Sequence, residues 1–144
     1  MIGIVLVSHM HFAEALLEAI RMIYGKPERV TAVPLLEGEG LEDLRDKVLK
    51  AIDSVNDGDG VLVLVDLFGG TTMNVSALIA AERSDVEIVA GVNLPMMLHV
   101  LFEREDAKSL RDLAEKAIYA GREGVVDVRE KVLEKLRKVR DESV

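Results

Sequence analysis

Cysteine is absent from this 144-residue sequence. The chain can therefore form no disulfide bond, no thiolate nucleophile and no cysteine-based zinc site. Any functional site must use oxygen and imidazole groups, which directs attention to the carboxylates and to the three histidines.

Long hydrophobic runs and blocks of basic residues are also missing. The longest apolar runs are strand-sized, and the first residues lack the cationic flank and cleavage site of a signal peptide. Acidic residues outnumber basic ones by 26 to 18, and no Lys/Arg block lies outside the C-terminal tail, which argues against binding to nucleic acid. We expect a cytoplasmic protein that binds neither nucleic acid nor membrane directly.

Short apolar runs alternate with amphipathic helical patterns along the chain. The runs at 1–7, 30–35, 60–65 and 86–92 are rich in β-branched residues and predict strands. Helices are predicted at 12–24, 41–55, 74–82 and 109–120, with a short apolar helix after Pro95 and a hydroxyl N-cap at Thr71 or Thr72. The pattern is typical of an open, doubly wound α/β fold with parallel strands flanked by helices. We expect its four strands to lie in the order 2-1-3-4.

Two residues with useful chemistry follow the first and third predicted strands. His9 and Asp66 should be neighbours, because these strand ends commonly flank the ligand crevice of an open parallel sheet. A carboxylate that accepts a proton from one imidazole nitrogen leaves the lone pair of the other nitrogen free as a nucleophile. We predict a catalytic pair, although each residue by itself also fits a structural hydrogen bond or a cap.

A glycine turn follows Asp66 in the segment DLFGGTT, residues 66–72. Gly69 and Gly70 let the backbone approach a ligand closely, and the helix that begins near Thr71 offers free N–H groups to an anion. These three residues are predicted to bind a phosphate group.

Apolar residues flank the same crevice in the sequence. Met10 and Phe68 stand next to the catalytic pair, and Leu94 and Met96 follow the fourth strand. We predict that these four residues form an apolar surface on which a partner protein docks.

Other chemistries fit these residues less well. A metal site made of His9, His11 and Asp66 would lack further ligands, and no phosphate-binding motif of a nucleotide site is present. A receiver domain phosphorylated on Asp66 would need acidic residues where Ser8 and His9 stand, to bind magnesium. We therefore predict no metal and no cofactor, with His11 exposed or in contact with a partner.

Four segments together resemble the mannose-type EIIA domain of the bacterial phosphoenolpyruvate:sugar phosphotransferase system. They are IVLVSHMHFAEALL, GVLVLVDLFGGTTMN, AGVNLPMMLHVL and AGREGV, in this order, and the resemblance covers residues 1–128. It implies a phosphotransferase in which His9 accepts a phosphoryl group from the phosphocarrier HPr and passes it to an EIIB component. Asp66 would bond to the other ring nitrogen, and the membrane components EIIC and EIID would be met only indirectly.

The sequence departs from this family at the glycine turn. Members often have a Ser-Pro pair after the glycines and a tryptophan before them, where this chain has Thr71-Thr72 and Phe68. A related subunit that feeds dihydroxyacetone kinase shares the fold and the strand-end histidine, although GGTTMN and NLPMM favour the sugar-transport type. A phosphorylation-dependent nutrient sensor would use the same His9.

The C-terminal part carries the prediction about assembly. Residues 124–128 predict a short strand, and residues 129–144 a charged helical tail whose apolar stripe consists of Val128, Val132, Leu136 and Val139. The strand order leaves the fourth strand as an open edge. The resemblance implies a homodimer in which the short strand is exchanged, and we expect it to pair antiparallel with the edge of the partner's sheet.

Overall fold

The computed structural model describes residues 1–143, which form four strands and six helices. In chain order these are β1 (Gly3–His9), α1 (Phe12–Ile23), β2 (Val30–Leu35), α2 (Leu41–Val55), β3 (Val61–Val65), α3 (Gly70–Glu82), β4 (Val86–Ala90), α4 (Leu94–Glu103), α5 (Leu110–Glu123) and α6 (Val128–Glu142). None of the helices within residues 1–143 has the length and hydrophobicity that a membrane span requires.

The four strands form one parallel sheet in the order β2-β1-β3-β4. Val7 pairs with Val33 on one side and with Val65 on the other, so β1 and β3 end at the same edge of the sheet. The α/β class, the parallel pairing and the strand order predicted from the sequence are confirmed.

Helices cover both faces of the sheet, which buries β1 and β3 from two sides. One core joins the even-numbered residues of β1 and β3, Ile4, Leu6, Leu62 and Leu64, to α1, α4 and α5. The other core joins the odd-numbered residues of β1 and β3 to α2 and α3. Each fully buried aliphatic side chain contributes roughly 1.5–3 kcal/mol relative to exposure. The two central strands are therefore the rigid part from which the site residues project.

Two element boundaries near the site differ from the prediction. β1 continues through His9, because Ser8 and His9 pair with Pro34 and Leu35 of β2. The third helix begins at Gly70 with Gly69 as its N-cap and has no side-chain cap, so the N-cap predicted at Thr71 or Thr72 is wrong. Thr72 bonds to a side chain outside the helix, as described below.

The strand predicted over residues 124–128 is absent from the single chain. Gly124 ends α5, residues 125–127 have no regular structure, and Val128 already begins α6, whose N-cap is Asp127. A strand exists only when its backbone groups pair with a neighbouring strand, and within residues 1–143 no strand pairs with this segment. Exchange of the segment with a second chain stays a prediction.

Helix α6 has no buried residue. Its stripe of Val128, Val132, Leu136 and Val139 is at least half exposed at every position. An isolated helix of this length is marginally stable in water, so this apolar face is a candidate for contact with another molecule.

Candidate active site

His9 and Asp66 meet at the carboxyl edge of the sheet, as predicted. The Nδ1 atom of His9 lies 2.7 Å from Oδ2 of Asp66, and the backbone N–H of His9 donates to the same oxygen at 2.8 Å. The parallel register of β1 and β3 produces this contact, since Val7 pairs with Val65 immediately before the two residues. The carboxylate thus holds both the backbone and the ring of His9.

The second oxygen of Asp66 is also occupied. Oδ1 accepts hydrogen bonds from the backbone N–H of Leu67 at 3.0 Å and from the hydroxyl of Thr72 at 2.9 Å. Partial burial of Asp66 by itself would raise its pKa. The hydrogen bonds from the backbone and ring of His9 and from Thr72 outweigh that effect and hold the pKa below its ordinary value of 3.8. Asp66 is therefore ionised at neutral pH.

An ionised Asp66 fixes the tautomer of His9. Because a carboxylate can only accept, Nδ1 of His9 must carry the proton in this contact, which leaves the lone pair on Nε2. The side chain of His9 is 48% exposed. The ring therefore presents a nucleophilic nitrogen to molecules that approach the edge of the sheet.

The start of α3 borders this nitrogen. A Cβ atom on Gly70 would lie 3.7 Å from Nε2 of His9, so the backbone of the glycine turn passes beside the reactive atom. Gly69 and Gly70 have φ angles of +127° and +76°, which glycine adopts without strain. The first turn of α3 has no side-chain cap, so its N–H groups and the positive end of its dipole are available to an anion. Gly69, Gly70 and Thr71 therefore form an uncapped helix start, and its Gly70 adjoins Nε2 of His9.

Ser8 fixes the turn that follows His9. Its hydroxyl accepts the N–H of Ala13 at 2.8 Å and donates to the carbonyl of Met10 at 3.2 Å. Met10 has a φ of +49°, a conformation that costs a non-glycine residue about 1 kcal/mol or more. The fully buried Ser8 therefore stabilises a tight β1–α1 turn that keeps Met10 on the surface.

Four large apolar side chains that stand within three residues of His9 or Asp66 in the sequence are exposed at the surface. Met10 and Phe68 are exposed as predicted, with Phe68 at 84%, and the exposed Phe12 and Leu67 adjoin them in the sequence. We define these four residues as the apolar rim. The sequence analysis missed Phe12 and Leu67, although both stand within three residues of His9 or Asp66 in the sequence.

Leu94 and Met96, the other two residues predicted to form the docking surface, are less exposed than Met10 and Phe68. Met96 is only 3% exposed, so its assignment to the docking surface is wrong. It faces α5, where the missing Cβ of Gly121 leaves room for it: an added Cβ would lie 2.7 Å from the Met96 Cε. Leu94 is half-buried and packs against the same core.

His11 forms no hydrogen bond with His9 or Asp66 among residues 1–143. It is exposed, and its Nδ1 is 3.3 Å from a carboxylate oxygen of Glu14, one turn along α1. Within residues 1–143, no three His, Asp or Glu side chains converge in a way that could hold a metal ion.

The sequence analysis missed the contact between Thr72 and Asp66. It considered Thr72 only as a possible N-cap, because a hydroxyl residue in front of a helix usually bonds to that helix. The glycine pair supplies the start of α3 instead, which leaves the Thr72 hydroxyl free to bond to Asp66. No local pattern in the sequence distinguishes these two outcomes.

Comparisons with known proteins all find the same family. Residues 3–118 match the family model described as PTS system fructose IIA component, EIIA-man. The chain is 41% identical over 113 residues to the PTS system fructose-specific EIIA component of Bacillus subtilis, a match that covers 78% of this chain and 77% of the relative. It is 36% identical over 134 residues to the PTS system mannose-specific EIIAB component of Escherichia coli. That match covers 93% of this chain but spans only 42% of the length of the relative.

Solved structures resemble the fold as well. The phosphotransferase system component EIIA from Streptococcus agalactiae superposes with a TM-score of 0.83 at 31% identity. The superposition covers 90% of this chain and 99% of that one. The mannose/sorbose-specific IIA subunit of Enterococcus faecalis superposes with a TM-score of 0.75 at 26% identity, over 88% of this chain and 93% of that one.

Proposed function

Because this chain belongs to the mannose-type EIIA family of the sugar phosphotransferase system, we propose that it carries a phosphoryl group on His9. It accepts the group from phosphorylated HPr and passes it to an EIIB component in the cytoplasm. The single observation that supports this most strongly is the 2.7 Å contact of Nδ1 with an ionised Asp66, which leaves Nε2 nucleophilic and exposed.

The transfer step requires one bond to form and one to break. The lone pair of His9 Nε2 attacks phosphorus, and the bond between phosphorus and the donor breaks in line, with its electrons leaving on the donor atom. As positive charge develops on the imidazole ring, Asp66 stabilises it through the bond to Nδ1. The second transfer, to EIIB, runs the same chemistry with His9 as the leaving group.

The negative charge on the phosphoryl oxygens is stabilised by hydrogen-bond donors and positive dipoles around it. We expect the N–H groups of Gly70 and Thr71, the Thr71 hydroxyl and the positive end of α3 to supply them, because the start of α3 has no side-chain cap. The protein carries a formal net charge of -8. A donor with a basic docking face therefore complements it and contributes further positive charge at the site.

The proposal is tested by incubating the protein with phosphoenolpyruvate, enzyme I and HPr. We expect one phosphoryl group per chain, labile in acid and stable in base, as for a phosphohistidine. A phosphoryl group that is transferred without HPr, or one that is stable in acid, would contradict the proposal that HPr phosphorylates His9.

The apolar rim provides the docking surface for the donor. Phe68 is 84% exposed beside the site, and truncation of such an aromatic anchor typically costs about 1–2 kcal/mol of binding. We expect Phe68→Ala to raise the KM for phosphorylated HPr by roughly tenfold while kcat changes little, because the ring aids binding equally in the ground and transition states. Steady-state transfer kinetics measure both constants.

Met22→Ala is the matched control for this variant. Met22 is another large apolar residue, 93% exposed, near the end of α1 that is far along the chain from His9. Its truncation should leave the KM unchanged. An equal rise in KM for both variants, or no rise for Phe68→Ala, would remove the apolar rim from the docking surface.

The proposed carrier is a homodimer. Within residues 1–143, β4 pairs only with β3, and Ile88 and Ala90 of this edge line a groove together with Phe68, Ile118 and Val125. Residues 125–127 pair with no strand within residues 1–143, and the apolar stripe of α6 is exposed. In a two-fold exchange, residues 125–127 of a second copy would pair antiparallel with the β4 edge. This pairing would cover the edge and give the segment a strand partner, and the stripe of α6 would then lie across the contact. Because Phe68 borders the groove, light scattering must show that Phe68→Ala keeps the oligomeric state of the wild type before its rise in KM is assigned to docking.

Removal of the C-terminal segment tests the dimer. We expect the full chain to scatter light as a dimer at about micromolar concentration, and a chain cut before Gly124 to become monomeric or insoluble, because the β4 edge loses its cover. A second variant, Leu136→Lys, should weaken the dimer without shortening the chain. Its control is Asp141→Lys, an exposed position that helical spacing puts on the side of α6 opposite the stripe, and this variant should leave the dimer intact. A monomeric full chain, or a soluble dimeric truncation, would contradict the exchange.

A further inference from the structure

Thr72 belongs to the first turn of α3, and its side chain is directed away from the helix it helps to begin. Its hydroxyl donates to Oδ1 of Asp66 at 2.9 Å, and the residue has no exposed surface. A buried hydroxyl that bonds to a carboxylate makes a charge-assisted contact, which is stronger than a neutral one.

Four groups donate hydrogen bonds to Asp66, but a side-chain mutation can remove only those that belong to side chains. Two are backbone N–H groups, of His9 and Leu67, and the third is the His9 ring itself. Within residues 1–143, Thr72 is the one further side chain that bonds to the carboxylate. Each oxygen thus receives two donors, which matches the number of lone pairs it offers, so the carboxylate is held at both oxygens.

We propose that Thr72 is a positioning residue, which holds the Asp66 carboxylate in the orientation that directs the His9 ring. Without its hydroxyl, Oδ1 keeps only the Leu67 N–H. Water cannot take the place of the hydroxyl at a fully buried position, unless the structure opens there. The carboxylate then gains freedom to rotate, and Nδ1 of His9 loses a fixed acceptor.

This inference reaches beyond the proposed function and rests on it only for a kinetic consequence. The ring of His9 must be aligned for in-line attack, and misalignment of a reacting group slows the chemical step. Thr72 is buried and cannot contact a partner protein. Its loss should therefore lower kcat for phosphoryl acceptance and leave the KM for the donor unchanged.

The decisive variants are Thr72→Val, which keeps the shape and removes the hydroxyl, and Thr72→Ser, which keeps the hydroxyl. For Thr72→Val we expect kcat to fall about tenfold, the size expected for loss of one hydrogen bond to a charged group. Thr72→Ser should recover most of the rate. NMR supplies two further measurements on the unphosphorylated protein, the pH titration of the Asp66 carboxyl carbon and the signal of the His9 Nδ1 proton.

In Thr72→Val the pKa of Asp66 should rise, because one of the hydrogen bonds that lower it is gone. The His9 Nδ1 proton should exchange faster with water. Ser76→Ala is the matched control, since Ser76 is an equally buried hydroxyl residue of α3 that donates to the Thr72 carbonyl and not to Asp66. It should alter neither NMR signal.

The outcomes separate the two proposals. If Thr72→Val leaves the Asp66 titration and the His9 proton unchanged, or if Thr72→Ser fails to restore them, the positioning role is wrong. If the wild-type protein accepts no phosphoryl group, the proposed function fails, while the NMR comparison still decides whether Thr72 holds Asp66.

Discussion

Replacement of His9 by alanine should reduce phosphoryl acceptance from phosphorylated HPr to background. The variant loses the atom to which phosphorus bonds, and no positioned group can replace a missing nucleophile. His9 is exposed at the end of β1, so the substitution removes little buried surface and the fold should persist. Label transfer measured by mass spectrometry, with circular dichroism for the fold, checks both statements.

His11→Ala is the matched control for this experiment. His11 is also exposed, stands two residues from His9 in the sequence, and contacts Glu14 instead of Asp66. The His11→Ala variant should be phosphorylated on His9 at the wild-type rate. Equal labelling of His9→Ala and wild type would overturn the proposed function, and loss of labelling in His11→Ala alone would move the acceptor to His11.

Replacement of Asp66 by asparagine should slow the transfer on the order of 10²-fold, the effect of losing a charge-assisted hydrogen bond and the tautomer control it provides. The volume is unchanged, but the amide has one acceptor oxygen where the carboxylate has two that receive four donors. An NH2 group must therefore oppose one of the backbone N–H groups. Stopped-flow or quench-flow measurement of single-turnover transfer gives the rate directly.

The pH dependence of unfolding supplies the second test of Asp66. Its pKa in the folded protein lies below the ordinary value, so its ionisation stabilises the fold above pH 3.8, and this contribution is lost as the pH falls through the lowered pKa. The stability difference between wild type and Asp66→Asn should accordingly be largest near neutral pH and shrink in acid.

Asp53→Asn is the matched control for both measurements. Asp53 is an exposed carboxylate near the end of α2 that pairs with Arg83 and not with the site. It should retain the wild-type transfer rate. If Asp66→Asn transfers at the wild-type rate, the carboxylate is structural only.

Much of the site could be predicted because parallel strand topology converts sequence position into spatial position. His9 and Asp66 both follow apolar strands, and a parallel sheet places the ends of adjacent strands at one edge. The glycine pair needed no tertiary information either, since positive φ angles and close backbone approach favour glycine in any context. The roles of these residues in transfer stay predictions until the variants are measured.

The wrong predictions concern features that the local sequence does not fix, such as the direction of a side chain or a strand partner outside the local segment. The rotation of α4 about its axis, set by its packing on α5, turned Met96 inward against Gly121. Residues 124–127 found no strand to pair with in the single chain, so their β-branched composition alone did not make a strand.

The sequence by itself determined the fold class and the meeting of His9 with Asp66. Apolar periodicity indicates which segments are strands and which are helices, and parallel strands end at one edge of the sheet. Only the tertiary structure decided that Thr72 bonds to Asp66, that Met96 is buried and that Phe12 and Leu67 join the apolar rim. Each of these depends on the direction of a single side chain, which is set by packing among elements distant in the sequence.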